Sequence, residues 1–101
     1  MKEAAAEFEV LAGKVPDAAQ IWADWGAALD KLGDFEAAVA KLDEALKLEP
    51  GLVAAHVRKV AALSQAGQCK AAKQANRVLS RSDASAKAKA AGDAAVKACK
   101  A

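Results

Sequence analysis

The chain matches itself when it is slid by 34 residues. Pro16 then meets Pro50, Gly33 meets Gly67 and Leu29 meets Leu63. Ala27-Ala28 meets Ala61-Ala62, Ala37-Ala38 meets Ala71-Ala72, Ala4 meets Ala38 and Phe8 meets Leu42. Alanine supplies 30 of the 101 residues and inflates the Ala matches, so the Pro and Gly matches carry the weight. A period of this size marks a supersecondary unit that cannot bury its apolar stripe alone. Such units stack on one another, which restricts the chain to an array of like pieces.

One period, Ala19 to Leu52, reads AQIWADWGAALDKLGDFEAAVAKLDEALKLEPGL. Apolar residues recur in it at three- and four-residue steps, the helical period. Trp22, Trp25, Gly26 and Leu29 mark a first helix, followed by a turn at Lys31-Leu32-Gly33-Asp34. Phe35, Ala38, Leu42, Ala45 and Leu46 mark a second helix that stops at Pro50. Composition agrees: Thr and Tyr are absent and only nine residues are Val or Ile, so strands have little to use. At 101 residues the chain is one all-α domain with a modest core.

These residues resemble the tetratricopeptide repeat (TPR), a helix–turn–helix of the same length with Trp, Leu-Gly, Tyr, Ala, Phe and Pro at fixed offsets. Trp22 falls on the Trp, Trp25-Gly26 on Leu-Gly and Leu29 on the Tyr. Ala38 falls on the Ala, Leu42 on the Phe and Pro50 on the Pro, with Gly33 and Ala45 at small-residue positions. The departures exchange one large apolar residue for another. The resemblance implies a short right-handed α-solenoid of antiparallel helix pairs.

Residues 1–18 are then the second helix of a repeat whose first helix is missing. Ala4, Phe8 and Leu11 form its stripe, Gly13 suits its C-terminus and Pro16 prevents resumption. The next helix is expected to begin near Asp17, an acidic residue at its positive end. Residues 19–52 are the complete repeat. Residues 53–82, in the window 53–86, are a degenerate copy: Val60, Leu63, Gly67, Ala72 and Leu79 keep the pattern, while His56 replaces the Trp, Lys59-Val60 replaces Leu-Gly and Asn76 replaces a large apolar residue. Ser80 to Asp83 makes the break in place of a closing Pro. Residues 83–101, nearly all Ala and Lys, read as a capping helix with Ser82 or Asp83 as N-cap. Gly92 weakens it by about 1 kcal/mol relative to Ala, so its far end is expected to fray. One orphan helix, two pairs and a cap make six helices.

The inventory argues against an enzyme. The single His56 falls on a core-facing position of the repeat, and no orienting acid or nucleophile is paired with it by spacing. The glycines are spaced turn markers rather than a phosphate loop, and two Cys with one His fall short of a metal site. No cofactor or metal is expected. Trp22 and Trp25 share a helical face and read as core packing, with an aromatic cage as the alternative. No run of apolar residues is long enough to span a membrane.

Cys69 opens one helix and Cys99 ends the next, almost equally far from the turn near Ser82. An antiparallel hairpin brings them side by side. Two buried thiols and a disulfide both fit; a disulfide implies an oxidising compartment such as a bacterial periplasm, and free thiols leave the cytoplasm open.

The resemblance also implies a partner-binding surface, the concave face formed by the first helix of each pair. Its positions fall on Gln20, Ala23, Asp24, Ala27, Asp30 and Lys31, then on Ala54, Val57, Arg58, Ala61, Ser64 and Gln65. The Lys and Asn with which chaperone-binding members of the family clamp a C-terminal carboxylate are missing, and Asp24 and Asp30 would repel one. The small side chains suit an apolar peptide or helix. The leading expectation is a non-catalytic scaffold or adaptor module binding such a partner. A second is self-assembly, since residues 1–52 carry −6 and residues 53–101 carry +8. A third is non-specific nucleic-acid binding by the basic tail (Arg77, Arg81, Lys87, Lys89, Lys97, Lys100), weakened by the lack of any aromatic after Phe35.

Overall fold

The computed structural model describes residues 2–15, 17–82 and 84–99. Among them are six α-helices and no strand: α1 (Lys2–Lys14), α2 (Ala19–Lys31), α3 (Phe35–Leu48), α4 (Val53–Gln65), α5 (Cys69–Ser80) and α6 (Ala86–Ala98). The fold is all-α, as composition and periodicity required. No described helix is long and apolar enough to cross a membrane.

The period is written into the backbone. α2 and α4 begin and end at positions 34 residues apart. At the α2–α3 turn, Leu32, Gly33 and Asp34 N–H donate to the Ala28, Asp30 and Leu29 carbonyls at 3.0–3.1 Å. At the α4–α5 turn, Ala66, Gly67 and Gln68 N–H donate to Ala62, Ser64 and Leu63 at 2.9–3.1 Å, the same bonds one period on. Gly33 and Gly67 sit at φ +84° and +78°, a conformation that glycine, lacking a Cβ, adopts at little cost. The loops ahead of α2 and α4 repeat too: Ala18 N–H donates to Val15 O as Leu52 N–H donates to Glu49 O, both at 3.1 Å.

Each helix packs on its sequence neighbours, and α4 also touches α2 and α6. Among the described residues, no Cα of α1, α3 or α5 comes within 8 Å of a Cα of another of the three. The thinnest dimension, 19 Å, accommodates two layers of helices. The core is divided in the same way. Ala23, Leu42, Ala45 and Ala55 form one cluster, flanked by Trp22, Leu46 and Leu52. Val60, Leu63, Ala72 and Ala75 form the other, flanked by Val39, Ala71, Ala95 and Val96. Lys59 Nζ reaches Asp43 Oδ1 at 2.6 Å and ties α4 to α3.

Several boundaries differ from expectation. α1 runs through Gly13 to Lys14, and α2 starts at Ala19, so Asp17 precedes it and its first turn has no acid. Pro16 and Asp83 lie outside the described residues. The N-cap of α6 is Ser85, whose Oγ accepts from Ala88 N–H at 3.2 Å. Ser82 is occupied elsewhere, donating to Leu79 O at the end of α5 and accepting from Ala84 N–H.

Gly92 is not merely a weak point. It is buried where α6 crosses α5, and a Cβ there would lie 2.7 Å from Leu79 Cδ2 and closer still to Asn76 Oδ1. Helix propensity favours Gly92→Ala by about 1 kcal/mol, but overpacking at such a crossing costs about 1–3 kcal/mol. Gly92→Ala is therefore expected to lower the unfolding midpoint in urea; a rise would show that α6 shifts freely on α5.

Candidate partner-binding groove

A concavity of about 560 Å³ opens between α2, α4 and α6. Ala54, Val57, Arg58 and Ala61 line it from one face of α4, where residues three and four apart stand in register. Asp30 of α2 closes one side; Ser85, Lys87, Ala88 and Ala91 form the α6 wall. Alanines on both walls let a backbone approach closely, while Arg58 and Lys87 bring positive charge to the rim.

Asp30 is the unusual group in this surface. Its Oδ1 is buried without a hydrogen-bond partner. Burial pushes the carboxyl above its ordinary 3.8, and the nearby Arg58 guanidinium partly opposes that rise. The folded state thus disfavours the charged form. The cost is absent below the ordinary pKa, grows as pH rises, and is complete above the raised value. Asp30→Asn is expected to stabilise the fold at pH 7, on the order of 0.5 kcal/mol, and to leave stability unchanged near pH 3. Urea melts at both pH values check this; an equal gain at both would point to a cause other than ionisation.

Five of the twelve residues expected on the surface line the groove: Asp30, Ala54, Val57, Arg58 and Ala61. Ser64 and Gln65 sit beside it, lining with Ala61, Ala95 and Ala98 a smaller depression between α4 and α6. Ser64 Oγ donates to the Ala95 carbonyl, so this end of α4 is partly covered by α6. Gln20 and Asp24 are exposed on α2 and bond each other at 2.9 Å. Lys31 is exposed and Ala27 half-buried. Ala23 is a correction: it is 4% exposed inside the first core cluster and has no free surface for a partner.

The α6 wall was legible in principle. Continuing the period from Val53, Ala54 and Val57 lands on Lys87, Ala88 and Ala91. The weak apolar pattern after residue 83 hid that register.

The remaining singled-out residues make contacts within the fold. His56 is 9% exposed, and its Nε2 lies 2.7 Å from the Pro50 carbonyl, which fixes that nitrogen as the donor. Trp22 and Trp25 stack with centroids 5.5 Å apart, and Lys41 Nζ of α3 lies 4.0 Å from the Trp25 ring centroid. The pair therefore joins α2 to α3 through a cation–π contact. Cys69 and Cys99 form a disulfide, with Cα atoms 5.7 Å apart. Cys99 Sγ also lies 3.4 Å from Ser64 O, a contact without a proton because the sulfur is bridged.

No family model matches the chain, and no curated protein or solved structure matches it either.

Proposed function

We propose that the chain is a TPR-like, non-catalytic binding module whose α2–α4–α6 groove holds an apolar peptide or helix of a partner protein. The observation that carries this reading is the repetition of turn hydrogen bonds at the 34-residue period. It makes α2 and α4 equivalent first helices, and the register of Lys87, Ala88 and Ala91 makes α6 a third. First helices in contact with one another, with the backbones of the second helices apart, support reading the chain as a short solenoid. The groove is then the surface such arrays present, and its small side chains favour an apolar segment with satisfied ends. The disulfide favours an oxidising compartment.

The test is selection of binders from a random 12-residue peptide library on the oxidised chain, followed by amide chemical-shift mapping. The reading expects selected peptides to shift the amides of Ala54–Ala61 and Lys87–Ala91. Shifts confined to α3 and α5, or no selected binder, would overturn it.

Self-association is the second reading, favoured by one patch. Val10 and Leu11 of α1 are 57% and 43% exposed beside Glu7, while exposed lysines mark α6. A dimer driven by the charges dissociates as salt rises, whereas one held by Val10 and Leu11 does not. Sedimentation equilibrium at low and high salt separates it from a monomeric receptor.

A further inference from the structure

We propose that the Cys69–Cys99 disulfide is a redox latch on the groove: reduction by a dithiol frees α6 and removes the wall it contributes. The proposal rests on reading the groove as the partner-binding surface.

Apart from the bridge, α6 has a thin anchorage. Gly92 is its only buried residue, and Val96, its one large apolar side chain, is half-buried against the second core cluster. Its polar ties are the Ser64–Ala95 bond and an exposed one from Asn76 Nδ2 to Asp93 Oδ1 at 2.8 Å. The bridge supplies the missing hold. It joins the first residue of α5 to the C-cap of α6, the end of the hairpin farthest from its turn. With the chain tied at both ends of α6, the helix cannot swing off α4. With the bridge open, one covalent tether remains, at the α5–α6 turn.

The bond is reachable. Cys69 lines an open concavity with Gly67, Lys70 and Gln74. A thiolate of the dithiol attacks the Cys69 sulfur, the S–S bond breaks, and Cys99 leaves as a thiolate that takes up a proton. The second thiol of the reductant, once deprotonated, attacks the mixed disulfide and closes its own ring, releasing Cys69. Two electrons pass from the dithiol to the protein. Cys69 departs at the N-terminus of α5, where the helix dipole favours a thiolate. A stabilised thiolate is the faster leaving group.

Amide hydrogen exchange on the full chain tests the latch in three states: oxidised, reduced with dithiothreitol, and the Cys69→Ser/Cys99→Ser variant. On reduction, the amides of Ala91–Val96 are expected to exchange faster by on the order of a hundredfold, while those of α2 and α3 change little. Reoxidation restores the slow rates. The reduced natural chain carries the test even if the variant fails to fold. Unchanged α6 rates would overturn the latch, as would equal acceleration in every helix, since the bridge would then support the whole fold. Either result leaves the mapping of peptides onto α4 intact, so loss of the latch is distinguishable from loss of the groove.

Discussion

Leu42→Ala is expected to lower the unfolding free energy by about 2–5 kcal/mol, toward the upper end of that range. Leu42 is fully buried and among the three largest side chains that are. The cost of such a truncation depends on how far the surroundings collapse into the space. Here the buried neighbours are unable to. A Cβ built on Gly26 would lie 2.7 Å from Leu42 Cγ, so the leucine rests on nearly bare helix backbone. Its buried neighbours in the cluster, Ala23, Ala45 and Ala55, are too short to reach inward. Equilibrium urea unfolding measures the effect, with Leu48→Ala as the comparison. Leu48 is 44% exposed, and its loss should cost no more than about 0.5 kcal/mol. A Leu42→Ala cost below about 1 kcal/mol would mean that α2 and α3 close together, contrary to the rigid crossing at Gly26.

Replacing both cysteines, Cys69→Ala with Cys99→Ala, is expected to cost roughly 3–4 kcal/mol under the loop-entropy account of a bridge between residues 30 apart. The loss should not be spread evenly. The closed loop contains only α5 and α6, and α6 has the thinner packing. Urea unfolding of the bridged chain is therefore expected to be one transition by both helical circular dichroism and Trp fluorescence. In the double variant the dichroism should fall first, because the fluorescence reports Trp22 and Trp25 between α2 and α3. Coincident curves at the lower midpoint would show that α6 and the rest of the chain still unfold together.

The parts of the fold that local chemistry dictates were legible before any coordinates. Gly33 and Gly67 mark turns because the backbone there has positive φ, and their spacing gave the period that α2 and α4 keep. That the two cysteines lie side by side followed from equal distances to a turn, a purely topological constraint, whereas the choice between a bridge and two thiols did not. What escaped depended on partners far along the chain. Gly92 reads locally as a weak helix position, and only Asn76 and Leu79 across the crossing give it a purpose. Ser82, Asp83 and Ser85 are all capping residue types; the choice of Ser85 follows from Ser82 being engaged with α5. Ala23 misled for a related reason. Alanine is small enough for a groove and apolar enough for a core, and the sequence does not say which face of α2 its neighbours cover.

The matched turns carry a consequence for length. Because the α2–α3 and α4–α5 turns use equivalent donors, equivalent acceptors and the same glycine conformation, each sets the same angle between the two helices of its pair. A second copy of residues 19–52 spliced after Leu52 would repeat the existing α3–α4 seam downstream and set its first helix on α3, in the place α4 holds. The product would be a longer version of the same protein, its central cleft extended by one helix width and its two ends unaltered. The length of such a chain is set by the number of tiles rather than by redesign of any one of them.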